Sequence, residues 1–419
     1  MAVVTQIVTC EVCDTKTLVK FQVGTLKEYP VHYSCPTCLT NIYGEIINHN
    51  DERLEFNLNN ATNESGLDGD YILVLSGEFP SIKITKFTEE TFLASSFSPF
   101  IRYAPHGNIE MFQILQGVLP NFINKEWKII ERIANLYFNK QDKYIEKEIN
   151  KLRESPNITI SPYEKHSSVS KLITTVFRTL SATKPISEYS VDSLSAILRE
   201  ISNHRPNEFL EFLNYYTEDD LLQIQRQLFS LFNSFINHYR YLLPVIYFEA
   251  LNEDIEEIKH IEGLNTVSLE KLDRLYQNTY ETLLENSNLI MMFDNLVVRG
   301  SVNNFNTSIN GGRALPRNID DFKKLTKGQK LKYLSDSNNE LSVIFQKSLD
   351  RKLRNPIGHN NYMYDPNTQL IKFNSIYENQ SPYELYLIEF AYKCFESIKI
   401  NLLIWDLIVL IKDLKKEQV

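Results

Sequence analysis

The chain has 419 residues, 43% of them hydrophobic and 23% charged, with a net charge of −9 and an isoelectric point near 5.5. That is enough chain for two or three domains with full cores, and the acidic balance excludes a protein that coats DNA through bulk positive charge. The opening MAVVTQIVTC lacks a basic start and a long apolar run, so no signal peptide is read there, and NLLIWDLIVLI (401–411) is too short to span a bilayer and carries Asp406, which marks a buried helix. A cytoplasmic protein is expected, with no membrane partner and no disulfides.

The first signal along the chain is a cysteine quartet. Cys10 and Cys13 are followed, after twenty-one residues, by Cys35 and Cys38. A two-residue spacer lets one tight turn present both sulfurs, and two such knuckles bring four thiolates into a tetrahedron around Zn2+. LVKFQV (18–23) and YPVHYS (29–34) read as the strand pair between them. The pattern resembles a zinc ribbon, with Cys35-Pro36-Thr37-Cys38 as its second knuckle. That family often carries glycine just after each knuckle, where this chain has Asp14 and Leu39. Asp tolerates a left-handed backbone and Leu does so poorly, so an irregular second turn is expected. Four thiolates leave no open coordination position, so the metal is read as structural. His32 reads as an exposed strand residue.

Residues 51–70 are polar and Asn-rich and read as a loop or linker. YILVLSG (71–77) and SIKITKF (81–87) read as strands, which makes the first hundred residues a small β-rich module. Helical periodicity then predicts helices over 110–140, 168–181, 192–202 and 221–243. The polar stretch 252–266 is a candidate boundary. Beyond it come a long helix (268–298), a Gly/Asn-rich loop (299–318), two further helices and a β-hairpin (362–373) around Asp365-Pro366-Asn367. The last helix is predicted to open with Ser381 as N-cap, Pro382 at its first position and Glu384 closing a capping box. It carries an apolar face from Leu387 through Cys394 and Trp405 to Val409. The expected fold is mainly α with a small β-rich N-terminal module. Its divisions are 1–50 (zinc ribbon), 51–105 (β-rich extension), 106–264 (helical) and 265–419 (helical with a β-hairpin insertion).

No phosphate loop, Gly-x-Gly-x-x-Gly or serine-nucleophile elbow is present, and His166, His204, His238 and His260 are scattered. Asp294 and Arg299 read first as a local cap or salt bridge. The stretch that carries chemistry is DRKLRNPIGHNNYMYD (350–365). On an unbroken helix Arg354 and His359 would point about 140° apart. Pro356 and Gly358 are expected to break the helix and turn His359 back towards Arg354. A guanidinium grips a phosphate, and an imidazole moves a proton near neutral pH. That pairing suits metal-independent cleavage of RNA by its own 2′-hydroxyl. Residues 313–354 hold eleven Lys/Arg against five acids, a candidate backbone-binding surface or simply a solvated helix face.

Arg354-Asn355-x3-His359 resembles the Arg-x4-6-His motif of HEPN-superfamily ribonucleases, over roughly residues 265–419. The resemblance implies a C-terminal HEPN-type bundle of four or five helices that forms a homodimer across the motif. It also implies an endoribonuclease in which Arg354 stabilises phosphate, Asn355 orients groups and His359 acts as acid and base. Such proteins often serve as toxins or abortive-infection effectors in antiviral defence, with tRNA among the candidate substrates and a phage or partner protein as trigger. Pro356 inside the motif is a departure that makes the local backbone tighter and bears on how the motif side chains are oriented. The rival reading is a non-catalytic HEPN and zinc-ribbon module that binds RNA, a nucleotide or a partner protein. A DNA regulator using the ribbon is disfavoured, because residues 1–50 hold no basic residue beyond Lys16, Lys20 and Lys27.

Overall fold

The computed structural model describes residues 2–49, 53–95, 99–103, 109–153, 169–170, 172–174, 191–251, 254–307, 315–334, 340–374 and 382–417. The chain forms two compact units, each drawn from three segments. Met1–Pro120, Phe235–Leu275 and Asn355–Phe395 make one, and Asn121–Ser234, Tyr276–Arg354 and Glu396–Val419 make the other. Among the described residues no helix is long and apolar enough to cross a membrane.

The first unit holds the strands. β1 (Ala2–Cys10), β2 (Lys16–Val23), β3 (Glu28–Ser34), β4 (Asn41–Asn48), β5 (Leu54–Asn59), β6 (Ala61–Glu64), β7 (Tyr71–Ser76), β8 (Ser81–Ile82) and β9 (Thr85–Lys86) follow in order. One sheet runs β6-β1-β2-β7-β9 and a second runs β3-β4-β5. β2 and β3 therefore do not pair with each other. β2 pairs antiparallel with β1 and parallel with β7, and β3 pairs with β4. Rings join the sheets: Phe21 on β2 meets Tyr29 on β3 edge-on at 4.9 Å and Phe56 on β5 at 6.2 Å. β2 is buried along its length because it is central, and its Lys20 is accommodated by donating to Phe92 O and lying over the Phe92 ring.

The stretch 51–70 is not a plain loop. Leu54, Phe56 and Leu58 alternate with polar residues, and this period of two places β5 on β4, while β6 extends β1. Gly44 is required where β4 meets β5, since a Cβ there would lie 2.0 Å from Asn57 O. Later segments add a short β8–β10 pair, with β10 at Glu262–Gly263, and a sheet of β11 (Tyr362–Asp365), β12 (Leu370–Phe373) and β13 (Tyr383–Tyr386). The hairpin around Asp365 is as expected: its carboxylate accepts from Asn367 N and the Thr368 hydroxyl. The side-chain amide of Gln369 pairs with both backbone groups of Leu264, as a neighbouring strand would.

The final helix does not begin at Ser381, which lies outside the described residues. Residues 383–386 form β13, paired with β12, and the helix starts at Leu387 and runs to Glu417. The local capping signal at Pro382 and Glu384 loses to antiparallel pairing with β12. This helix is buried around most of its circumference, with Phe390, Trp405, Leu407 and Ile408 all nearly inaccessible.

The second unit is helical. Trp127–Phe138 and Asp142–Arg153 form an antiparallel pair, preceded by a π-helical turn at Phe122–Glu126 that interrupts the single helix expected over 110–140. Val191–His204 and Glu218–Ala250, the latter passing into the first unit at Phe235, contain the expected segments 192–202 and 221–243. Of 168–181, the described residues 169–170 and 172–174 are helical. Trp127 stacks on Phe229 at 5.7 Å and donates to Asn233 Oδ1, and Phe232 meets Trp405 edge-on. The expected 268–298 helix is broken at Asn286 into Leu269–Glu285 and Ser287–Asp294, then a π-helical turn at Asn295–Arg299. Arg299 binds Asp294 and Asn295, so the local salt bridge holds.

Gly44→Ala is expected to push β5 off β4 and to lower the unfolding free energy by about 1–3 kcal/mol, read by urea titration.

Candidate metal centre and Arg–His helix end

Each cysteine pair sits at a hairpin turn, Cys10 and Cys13 between β1 and β2, Cys35 and Cys38 between β3 and β4. The two turns repeat one another. Asp14 N donates to Cys10 O and Cys10 N to Thr15 O; Leu39 N donates to Cys35 O and Cys35 N to Thr40 O. Asp14 and Leu39 both take a left-handed backbone, with φ of 55° and 61°. The second turn is thus regular, and Leu39 bears the strain with its side chain 51% exposed. The turn bonds and sulfur placement outweigh a Cβ penalty of about 1–2 kcal/mol.

The four Sγ atoms lie within 4.8 Å of one another, with Cys13–Cys35 at 3.5 Å and Cys10–Cys38 at 3.7 Å. A tetrahedral ion with sulfur bonds of ~2.3 Å needs sulfurs ~3.8 Å apart, so this donor set fits a thiophilic divalent metal. Thr15 Oγ1 lies 3.1 Å from Cys13 Sγ and Thr40 Oγ1 3.2 Å from Cys38 Sγ. On a metal-bound thiolate these hydroxyls would donate, orienting each sulfur. The signal for them in the sequence is Cys-x-x-Cys-x-Thr, which occurs at both knuckles. Burial pushes the Cys10 thiol up and Cys35 to about 12, while the Thr40 hydroxyl and N–H pull Cys38 down to about 6. A cation at the centre favours the thiolate at all four. His32 is half-buried rather than exposed. Burial, then the charge of Lys271, hold its imidazole down at about 4.

The Arg–His stretch differs from expectation in its backbone. The helix runs unbroken from Arg351 to Gly358, through Pro356. Leu353, Pro356 and Ile357 are buried, and their packing outweighs the lost hydrogen bond of the proline. Gly358 is helical, and the chain turns at Asn360, whose φ is 50°. Asn360 N donates to Ile357 O at 3.2 Å and Asn361 N to Pro356 O at 2.8 Å. These two bonds, around a left-handed residue just past the helix, are a Schellman closure with His359 as the C-cap. Arg354 and His359 therefore leave one regular helix about 140° apart, and Pro356 does not turn them together.

Arg354 belongs to the helical unit and Asn355 and His359 to the other. The Arg354 guanidinium donates from Nη2 to Glu281 Oε1 at 2.9 Å and from Nε to the same oxygen at 3.3 Å. Lys327 binds the other oxygen of Glu281. Burial pushes the Glu281 carboxyl up, but the bonds from Lys327 and Arg354 outweigh it and hold it below the usual range. Asn355 is half-buried, and its carbonyl accepts from His359 N. The His359 side chain is exposed, and its ring has no hydrogen-bond partner among the described residues. The candidate basic surface is partly neutralised: Lys323 and Lys324 pair with Asp320 and Asp321, and Lys327 with Glu281, while Arg351 donates to Gly328 O. Arg313 lies outside the described residues.

Just beyond the helix end, the Tyr362 hydroxyl donates to Asp273 Oδ2. Asp273 is 6% exposed and its buried Oδ1 has no hydrogen-bond partner among the described residues. Burial lifts its carboxyl from 3.8 to about 6, against the pull of the Tyr362 bond. No protein-family model, curated protein or solved structure matches the chain.

Purified protein is expected to carry a single metal ion, measured by inductively coupled plasma mass spectrometry. Cys35→Ala is expected to abolish it and to make β1–β4 open to protease. Asp273 predicts a pH dependence of opposite sign to a salt-bridged carboxylate. The folded state holds this proton more tightly than the unfolded chain, so stability falls as pH rises from 3.8 to about 6, by up to about 3 kcal/mol. Asp273→Asn is expected to be more stable than wild type at neutral pH and to lose that advantage below pH 3.8 in urea titrations.

Proposed function

We propose that the chain is a metal-independent endoribonuclease of HEPN type acting through His359, with a structural zinc on Cys10, Cys13, Cys35 and Cys38. The observation that carries this reading is the His359 imidazole, exposed and without a hydrogen-bond partner among the described residues, on a helix end whose backbone is closed around it. In the reaction the 2′-oxygen attacks the adjacent phosphorus as its proton passes to a base. The bond to the 5′-oxygen breaks, and that oxygen takes a proton from an acid. The products are a cyclic phosphate and a 5′-hydroxyl.

Arg354 neutralises the phosphate. Glu281 occupies its Nε and Nη2, which leaves the Nη1 protons to donate and fixes the guanidinium plane. One imidazole cannot be base and acid in the same step, and Arg354 and His359 diverge on their helix. A homodimer with a two-fold axis at the helix end supplies the second copy of each. The HEPN resemblance extends the reading to a cytoplasmic toxin or antiviral-defence effector that cuts tRNA or other RNA on a trigger. Four thiolates leave zinc no open position, so its part is to tie the two hairpins together.

A second reading has one observation in its favour. Glu281 already bonds both Arg354 and Lys327, one carboxylate shared by two cations, as suits a module that binds RNA, a nucleotide or a protein without cutting.

Wild type is expected to cut total RNA and tRNA in the presence of EDTA, leaving cyclic-phosphate ends, and His359→Ala to cut at least ~100-fold more slowly. Cutting that persists in His359→Ala, or that requires added divalent metal, sinks the nuclease reading. If neither protein cuts and Arg354→Ala weakens RNA binding, the binding module stands instead.

A further inference from the structure

His359 is the residue on which the proposed chemistry turns, yet no described residue hydrogen-bonds its ring. What the structure fixes is the segment that carries it. On one side, His359 N donates to Asn355 O and Pro356 O. On the other, Asn361 is held three times: its N–H by Pro356 O, its carbonyl by Asn374 N, and its side-chain oxygen by Asn374 Nδ2 at 3.0 Å. The next residue, Tyr362, opens β11 and pairs with Phe373 across the sheet, its ring packed on the Phe373 ring. Its hydroxyl then reaches out of the sheet to Asp273 on the Leu269–Glu285 helix.

That last contact is costly by itself. A carboxylate 6% exposed, with one oxygen unpartnered, is a poor way to gain stability. Among the described residues the groups facing it are Tyr362, Glu270 on its own helix, and the buried thiol of Cys394, which donates to Leu272 O. None is a cation. An apolar residue at 273 against phenylalanine at 362 would fold at least as well. The contact supplies direction: a hydrogen bond from one fixed helix to the strand residue three positions beyond His359.

We propose that Asp273 and Tyr362 are positioning residues for His359, holding the helix end and the start of β11 in the one register that presents the imidazole to RNA. This rests on the nuclease reading for its consequence and on the Asp273–Tyr362 contact for its geometry. A base displaced by an ångström loses much of its rate while substrate binding is kept. Tyr362→Phe and Asp273→Ala are therefore expected to lower kcat by ~10–100-fold with KM changed by less than ~2-fold. Asp273→Asn keeps an oxygen to accept from Tyr362 and is expected to recover most of the rate lost in Asp273→Ala.

The test is cleavage kinetics on tRNA by the full chain and these three variants, with His359→Ala as reference, joined to amide hydrogen exchange over residues 359–364. Faster exchange in Tyr362→Phe and Asp273→Ala, confined to that segment, is expected. Unchanged kcat and unchanged exchange in Tyr362→Phe overturn the proposal, as does a loss in Asp273→Asn equal to that in Asp273→Ala. If wild type itself does not cut RNA, the nuclease reading fails on its own. The exchange data then decide whether the pair holds the His359 turn, and wild-type exchange in Tyr362→Phe overturns that too.

Discussion

Two hairpin turns from two different sheets converge on one point, and the four sulfurs there set how those sheets meet. The first sheet closes on β2, central and buried; the second hangs on β4. Between their faces lie Phe21, Tyr29 and Phe56, but rings alone permit sliding. Turns whose backbone bonds repeat residue for residue do not. A metal among the thiolates would supply a directional bond where the ring contacts are non-directional. It explains why the chain accepts leucine in a left-handed turn, since the turn must close to aim Cys38.

The helix end at His359 shows a different kind of constraint. Proline inside a helix ordinarily ends it, and here it does not, because Leu353, Pro356 and Ile357 are buried together. The turn is deferred by two residues to Asn360, one of the few side chains that tolerates a left-handed backbone without glycine. The result is a rigid stop with an exposed imidazole on its last residue. Glu281 holds Arg354 within the helical unit and Asp273 holds Tyr362 within the other, so buried or half-buried carboxylates fix both flanks of the motif.

How much of this could be read beforehand depended on whether the deciding force was local. The cysteine spacing is local covalent geometry, and the cluster followed from it; so did the hairpin at Asp365. The pairing of β2 with β7 rather than β3 joins residues far apart in the chain, and no turn signal announces it. Leu54–Asn59 looked like linker because asparagines hid an alternation of three apolar residues. Ser381-Pro382-x-Glu384 is a sound helix start in isolation, and the neighbouring strand β12 claimed its last residues instead. Gly358 and Asn360 both permit a turn, and burial of the helix chose the later one. Thr15 and Thr40 were legible in principle, as the same residue two positions after each knuckle. Glu281 and Asp273 were not, because nothing in an acid on a long helix says which distant side chain it will meet.

The interleaving of the two units has a consequence during synthesis. Each unit takes an early, a middle and a late segment of the chain, and the strand-bearing unit needs residues as late as Phe395. The N-terminal half cannot complete its core as it leaves the ribosome, so apolar faces made first must wait for partners made last. A chain cut short anywhere before that point leaves both units unfinished. A product that stops before Glu396 therefore lacks the last segment of the helical unit, and one that stops before Asn355 lacks the late segment of both, the His359 helix end included.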